Sequence, residues 1–302
     1  MGFISHSPTG RLVNVDSHTL HINICGDGSP TVVLETGGAS WSMDWLPVQA
    51  EVAKFTRVCS YDRAGFGWSE PGLKPRSSGR IVLELHDLLT SAQIEAPYLV
   101  VGASFGGHIA RLFAHQYPSE IAGLILLDAR HEDLAVKMPP AWKKLETTGK
   151  RMNQFLLWAS RAGLLQRMGK MLGHKVAPPM LSKLPPEMHS VYLEVGFQPH
   201  FFQSNLDELE AAGESDAQVR VARSLGDIPL TVVRHGVPDL FAGMPRAQAE
   251  QAEFVWQELQ ADLVNLSTNS RMLIAEKCGH RIQMDDPDLV IEAIRQMVNL
   301  VR

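Results

Sequence analysis

The sequence has few cysteines and no long apolar run, and both shortages exclude classes of protein. Its three cysteines, Cys25, Cys59 and Cys278, are odd in number and far apart, so they predict neither a disulfide framework nor a metal knuckle. No apolar run approaches the roughly 20 residues that span a bilayer, so we expect no membrane-spanning segment. The first residues lack a basic segment followed by an apolar core, which predicts no secretion signal and a cytoplasmic location.

A strong excess of charge of one sign is also missing. The 28 lysines and arginines nearly balance the 33 acids, and the formal charge of −5 is small for 302 residues. This whole-chain charge, without a basic run that could follow a phosphate backbone, predicts no nucleic-acid partner and no membrane partner. The length suits one large domain or a domain with an insertion. The oligomeric state stays open, and a homodimer is the assembly to test.

Short β-branched runs alternate with helical patterns in the first 128 residues and again near the end. We expect a strand hairpin over 11–26. Continuous apolar runs over 98–102 and 121–127 are typical of strands buried on both faces of a parallel sheet. Other predicted strands cover 31–35, 56–61, 230–233 and 272–275, and predicted helices cover 45–53, 81–92, 107–116, 248–264 and 287–301. This order predicts the α/β class, with a mostly parallel central sheet flanked by helices.

The alternation stops after Asp128. Residues 129–228 are predicted to be mostly helical, with breaks at the proline pairs 139–140, 178–179 and 185–186. We therefore predict a core of residues 1–128 and 229–302, interrupted by a helical lid over 129–228.

The predicted lid is rich in large apolar side chains and contains six of the twelve methionines. Methionine adapts to irregular apolar ligands, so this composition predicts a hydrophobic substrate. We interpret its basic spots, Lys143-Lys144 and Lys150-Arg151, as solvated helix faces.

The stretch Gly102-Ala103-Ser104-Phe105-Gly106 has the pattern G-x-S-x-G and lies between a predicted buried strand and a predicted helix. In this context the serine lies on a sharp turn that exposes its hydroxyl. Side chains at the two glycine positions would collide with the neighbouring strand and helix. The pattern predicts that Ser104 is a nucleophile and that the Phe105 N–H, at a helix N-terminus, stabilises an oxyanion.

A serine hydroxyl needs a base that removes its proton, and His280 follows the last predicted strand in Cys278-Gly279-His280. The second oxyanion donor is expected from the loop after the third strand, where we favour the N–H of Gly38, with that of Ala39 next. Among the other histidines, we interpret His108 as a packing or hydrogen-bonding residue. His131 and His235 lie near strand ends, where they could line the pocket or be ordinary loop histidines.

Two carboxylates fit the order serine, acid, histidine. Asp128 ends the strand after the elbow helix, and Asp239 follows the strand over 230–233. Strand ends are more rigid than loops, which favours Asp128 as the group that orients His280. Asp239 remains the alternative.

These residues resemble the α/β-hydrolase superfamily over nearly the whole chain, within its serine-nucleophile, carboxylesterase-like branch. The resemblance rests on the Gly-Gly loop, the turn over 61–67, the elbow at Ser104 and Cys278-Gly279-His280 followed by Asp286-Pro287. It implies this fold with a helical lid. Members resembling haloalkane dehalogenases would place the acid at Asp128, whereas many others would place it at Asp239. Dehalogenases and epoxide hydrolases of this fold use an aspartate nucleophile, so Ser104 argues for acyl transfer instead.

The sequence therefore predicts a serine hydrolase that cleaves a small-to-medium hydrophobic ester, thioester or lactone without a metal or cofactor. Rival interpretations are a non-catalytic small-molecule receptor on the same fold and another serine-dependent activity, such as an amidase, a C–C hydrolase or a perhydrolase.

Overall fold

The computed structural model describes residues 6–172 and 179–302. Residues 1–5, part of the segment that predicts no secretion signal, and the first proline of the pair 178–179 lie outside the described residues. The strands are β1 (Arg11–Val15), β2 (His18–Cys25), β3 (Thr31–Glu35), β4 (Val58–Tyr61), β5 (Tyr98–Ala103), β6 (Ile121–Leu127), β7 (Leu230–His235) and β8 (Ser270–Ala275). The helices are α1 (Leu46–Val52), α2 (Ser78–Ser91), α3 (Gly106–Gln116), α4 (Leu134–Lys137), α5 (Pro140–Arg161), α6 (Leu164–Leu172), α7 (His189–Gly196), α8 (Pro199–Glu210), α9 (Ala212–Val219), α10 (Arg246–Leu263), α11 (Ile282–Asp285) and α12 (Pro287–Val301).

The eight strands form one sheet in the order β1-β2-β4-β3-β5-β6-β7-β8. Strand β2 runs antiparallel to its neighbours β1 and β4, and the remaining neighbours pair in parallel. The predicted mostly parallel sheet is thus confirmed. Parallel strands place their carboxyl ends at the same edge, and the loops that follow them meet there.

Alternate residues of the central strands point to opposite faces of the sheet, and each face is covered by helices. Val33 and Val100 pack in a cluster that includes Ile81 of α2 and Ile109 of α3. Val32, Leu34, Leu99 and Val101 pack in the other cluster, with α1 and α12. Since both faces are buried, these strands are apolar throughout, as the continuous runs of the sequence predict.

Several element boundaries differ from the prediction by a few residues, and two of the differences have a physical reason. Helix α2 begins at Ser78 rather than at 81, because polar residues precede the first apolar position of its pattern. Strand β7 continues through Arg234 to His235, which pair with Ile274 and Ala275 of β8. His235 is therefore a strand residue, and the interpretation as a loop histidine is wrong.

Between β6 and β7 the described residues form helices α4 to α9 and contain no strand. Buried polar contacts connect this segment to the core. Arg111 of α3 pairs with Glu132 at 2.6 Å, and His108 of α3 lies 2.9 Å from Asp216 of α9. Whether residues 129–228 act as a lid stays a prediction.

No helix in residues 6–172 or 179–302 is both long and apolar enough to cross a bilayer. The cytoplasmic location and the homodimer stay predictions.

Candidate active site

Ser104 lies in the turn between β5 and α3 with a positive φ of 51°, a conformation that L-residues rarely adopt. Backbone hydrogen bonds on both sides of the turn hold Ser104 in this conformation. The Ser104 N–H donates to the carbonyl of Leu127 at 3.0 Å, and its carbonyl accepts from the N–H of Arg130 at 2.8 Å. A strained residue that its surroundings hold in place is typical of a functional site.

The glycines on either side of Ser104 are required by close backbone approach. A Cβ on Gly102 would lie 2.5 Å from the carbonyl oxygen of Gly106, and one on Gly106 would lie 2.7 Å from the carbonyl oxygens of Glu35 and Thr36. The collisions that the sequence predicts at these positions are confirmed. The turn can therefore lie between strand, helix and the loop after β3 only with glycine at both places.

His280 lies in the loop between β8 and α11, where its ring contacts Ser104 and Asp128. Its Nε2 lies 3.0 Å from Ser104 Oγ, and its Nδ1 lies 2.5 Å from Asp128 Oδ2. Hydroxyl, imidazole and carboxylate in this order can transfer a proton from the hydroxyl to the ring. The three residues meet because β5, β6 and β8 are parallel and end at one edge of the sheet.

Asp239, the alternative acid, lies in the loop after β7 and contacts His280 through the backbone. Its Oδ1 accepts a hydrogen bond from the His280 N–H at 2.9 Å. A Cβ on Gly279 would lie 2.0 Å from Asp239 Oδ2, so glycine is needed for this contact. The structure thus brings Asp128 to the imidazole ring and Asp239 to the backbone of the same loop.

Asp128 is fully buried at the end of β6, and both of its oxygens accept hydrogen bonds. Trp256 Nε1 donates to Oδ1 at 2.9 Å, and His235 Nδ1 donates to Oδ2 at 2.7 Å. Burial opposes ionisation, but the hydrogen bonds from His235 and His280 hold the pKa of Asp128 well below its usual range. The carboxylate that faces His280 is therefore charged at neutral pH.

His235 is buried behind Asp128, and both of its ring nitrogens face carboxylates. Its Nε2 lies 3.0 and 3.1 Å from the two carboxylate oxygens of Glu253 on α10. Burial lowers the pKa, but the hydrogen bonds to Asp128 and Glu253 outweigh it and raise the pKa of His235 to about 10. His235 is therefore an imidazolium at neutral pH that donates from both nitrogens.

Asp128, His235 and His280 are also the one group in the described ranges with three metal-ligand atoms within 4.8 Å of one another. Hydrogen bonds account for these atoms, because a protonated His235 has no lone pair to offer and Nε2 of His280 faces Ser104. A metal ion would require His235 to lose its proton. The cluster fits a hydrogen-bonded chain, and the absence of a resident metal stays a prediction.

The loop after β3 lies directly against the Ser104 turn. A Cβ on Gly37 would lie 3.2 Å from Ser104 Cβ. Gly38 and Phe105 line the same cavity as Ser104, and Phe105 precedes the first turn of α3, where N–H groups lack intrahelical partners. The two predicted oxyanion donors thus flank Ser104, and their role stays a prediction.

A buried guanidinium fixes that loop. Arg63 Nη2 donates to the carbonyl oxygen of Gly37 at 2.8 Å, and Nη1 donates to that of Thr36 at 2.9 Å. The same side chain pairs with Glu35 at 2.7 Å and with Glu208 of α8 at 2.7 Å. One cation therefore connects the predicted oxyanion loop with the helical segment between β6 and β7.

An open cavity of about 180 Å³ adjoins Ser104 and His280. Its walls are largely apolar and include Leu134, Trp142, Leu209, Leu240 and Trp256. A smaller cavity of about 60 Å³ also reaches Ser104 and His280, and polar side chains line it: Ser40, Asp44, Arg281 and Gln283. Two unequal cavities that meet at one hydroxyl can hold two unequal parts of a substrate.

Nothing in the sequence placed Glu253 and Trp256 at this site, and the contact of His235 with Asp128 was not predicted. A polar residue at the carboxyl end of an apolar strand, next to the strand that carries Asp128, was the available signal for His235. Glu253 and Trp256 are three apart on α10, so they share a helix face, but nothing local shows which way that face points.

Comparisons with known proteins agree with this architecture. A model of the alpha/beta hydrolase fold family matches residues 30–191. An AB hydrolase superfamily protein of Gibberella zeae is 24% identical over 90% of this chain and 87% of its own, and the uncharacterized protein YqjL of Bacillus subtilis is 26% identical over 92% and 86%.

Solved structures show the same fold. The epoxide hydrolase CorEH superposes with a TM-score of 0.70 at 18% identity and covers 97% of this chain and 99% of its own. A thermophilic esterase from Thermogutta terrifontis gives 0.65 at 18% identity, over 96% and 98%. The match to the family model covers more than half of the chain. The chain belongs to the alpha/beta hydrolase fold family.

Proposed function

We propose that this hydrolase cleaves a small-to-medium hydrophobic carboxylic ester through an acyl-enzyme on Ser104. The observation that carries the proposal is the contact chain Ser104–His280–Asp128, with the hydroxyl 3.0 Å from the imidazole. Thioesters and lactones would follow the same steps, because each presents a carbonyl carbon and a leaving group.

In the first half of the reaction, His280 Nε2 takes the Ser104 proton as Oγ attacks the carbonyl carbon. The charged Asp128 stabilises the imidazolium that forms. The N–H groups of Gly38 and Phe105 donate to the oxyanion. His280 then protonates the leaving alcohol as the bond between carbon and oxygen breaks.

In the second half, His280 removes a proton from a water molecule that attacks the acyl carbon. The tetrahedral intermediate collapses, and His280 returns the proton to Ser104 Oγ as the carboxylic acid leaves. The chain's own residues supply every proton transfer.

The serine at the turn favours this chemistry over epoxide opening, although an epoxide hydrolase is among the neighbours. Resemblance implies that epoxide hydrolases of this fold attack with an aspartate, and this chain has Ser104 at that position. The apolar cavity favours a hydrophobic acyl or alcohol group. We also infer that residues 129–228 act as a lid, because Leu134, Trp142 and Leu209 come from this segment and line the cavity.

The test is turnover of p-nitrophenyl esters of graded acyl length. Replacing Ser104 with alanine should lower kcat roughly a millionfold while the circular dichroism spectrum stays unchanged. The matched control is Ser91→Ala, at an exposed serine that ends α2, and its kcat for the same esters should equal that of the parent protein. Undiminished turnover in Ser104→Ala would refute the proposal, and binding of esters without turnover by the parent protein would favour the receptor.

A further inference from the structure

The region around α5 carries a charge opposite to that of the rest of the chain. Residues 137–168 contain seven lysines and arginines against one acid, Glu146, which gives a formal charge of +6. The remaining residues contain 21 lysines and arginines and 32 acids, a formal charge of −11. The net charge of −5, from which we expected no membrane partner, is therefore the sum of two regions of opposite sign.

These cations are largely uncompensated. Lys150 lies 3.5 Å from Glu210. The other six form no ion pair with any residue that the structure describes: Lys137, Lys143, Lys144, Arg151, Arg161 and Arg167. All six are exposed. By contrast, Arg63 and Arg111 in the core have buried carboxylate partners. The positive potential of this surface is therefore open to a partner outside the chain.

Large apolar side chains are exposed among these cations. Met152, Phe155 and Trp158 lie on successive turns of α5 and are 56%, 57% and 59% exposed. The rings of Phe155 and Trp158 contact each other, with centroids 5.9 Å apart. On α6, Leu164 and Met168 are one turn apart and also exposed. Apolar side chains grouped on a helical surface mark an interaction site rather than ordinary solvated helix.

We propose that this basic-apolar surface, formed by the exposed side chains of residues 137–168, docks on an anionic lipid bilayer. Exposed Trp, Phe, Met and Leu side chains enter the boundary between headgroups and acyl chains, and the surrounding lysines and arginines contact the lipid phosphates. Their aliphatic stems lie along the apolar side chains while the charges reach the headgroups.

The combination of features favours a bilayer over two other partners. A nucleic acid would neutralise the cations but would leave Met152, Phe155 and Trp158 without apolar contacts. A second copy docked through the same surface by a two-fold axis would bring two regions of +6 together.

The same helix connects the docking surface with the site. Helix α5 lines the larger cavity with Trp142 and exposes Trp158 sixteen residues later, roughly 24 Å along the helix axis at 1.5 Å per residue. The enzyme would then meet apolar esters where they concentrate. The docking itself does not depend on the serine chemistry, because the surface shares no residue with the contact chain of Ser104.

The experiment is co-sedimentation of the full chain with vesicles, without any turnover assay. We expect binding to phosphatidylcholine vesicles that contain about one third phosphatidylglycerol, and about tenfold weaker binding to phosphatidylcholine alone. Raising the salt concentration should weaken the binding to anionic vesicles, since exposed charges are screened.

Exposed-residue variants separate docking from nonspecific adsorption. Two double variants should each weaken vesicle binding about tenfold: Phe155→Ala with Trp158→Ala, and Lys143→Ala with Lys144→Ala. The matched controls are Phe254→Ala, 62% exposed on α10, and Arg246→Ala on the same helix, which should bind like the parent protein.

Three results would overturn the proposal: no sedimentation of the parent protein with anionic vesicles, equal binding by the double variants, or tighter binding to duplex DNA. A dimer in sedimentation velocity that Trp158→Ala dissociates would assign the surface to a second copy. A failure of ester turnover would leave this test unchanged, so the two proposals fail separately.

Discussion

The carboxyl edge of the sheet and the outer surface of α5 use charged residues in opposite ways. At the edge, Asp128 and His235 are buried and each faces groups that complement its charge. On α5, Lys143 and Arg151 are exposed and have no acidic partner in the described part of the chain. A buried charge is tolerated only with partners, and the partners then fix its position. An exposed cation fixes nothing within the fold and stays available to a ligand.

This comparison predicts large effects of substitution at the edge and small ones on α5. Among the charged residues, the largest effect is expected at Asp128. Asp128→Asn should lower kcat about ten-thousandfold, because an amide cannot stabilise the His280 imidazolium. Asp239→Asn should cost less than about tenfold, since the amide oxygen can still accept from the His280 N–H. Steady-state kinetics on one aryl ester compares them, and a larger loss at Asp239 would reverse the assignment.

The second effect is on stability and concerns Arg63. Arg63→Met leaves Glu35 and Glu208 buried without their cation and should lower the free energy of unfolding by about 3–5 kcal/mol. Adding Glu35→Gln and Glu208→Gln to this variant should recover part of the loss, because no uncompensated charge then remains. Urea unfolding measures the free energy of unfolding of both variants. If Arg63→Met alone is as stable as the parent protein, the cation is dispensable for stability.

The third effect depends on pH and concerns His235. The pKa of His235 is raised from 6.5 to about 10 in the folded state. The stability that its protonation contributes is therefore complete below pH 6.5 and is lost as the pH rises through 10. Between these values the parent protein should lose roughly 1 kcal/mol per pH unit relative to His235→Gln. Urea unfolding at pH 7, 8.5 and 10 tests this, and parallel pH profiles would show that His235 is neutral.

The smallest effect is expected on α5. Phe155→Ala with Trp158→Ala should change kcat/KM for a soluble aryl ester by less than about twofold, since exposed positions contribute little to folding or to the site. The same variant should lose vesicle binding. A large loss of ester turnover in the absence of vesicles would show that the outer surface of α5 also matters for catalysis, and would contradict the comparison of the two regions.

How far the sequence predicts the molecule depends on how local each signal is. Strands β5 and β6 follow from continuous apolar runs, and the Ser104 turn follows from glycines that steric contact requires. The rigidity of strand ends favoured Asp128 over Asp239 but did not decide between them, because both residues lie close to His280 and the directions of their side chains were not predictable.

The partners of the buried charged residues could not be predicted from the sequence either. Arg63 and Glu208 are 145 residues apart, and their pairing depends on how α8 packs on the core. The role of His235 needed the register of β7 with β8, which extends the strand by two polar residues. The segregation of charge in residues 137–168 was visible in the sequence, but the exposure of Phe155 and Trp158 among those cations was not.

The central claim is that Ser104 is a nucleophile activated by His280. Its most direct test is mass spectrometry of the protein after reaction with a fluorophosphonate probe. The account predicts one adduct, located on the peptide that contains Ser104, and a strong loss of labelling in His280→Ala. An unlabelled protein, or a label at another residue that persists in Ser104→Ala, would contradict it.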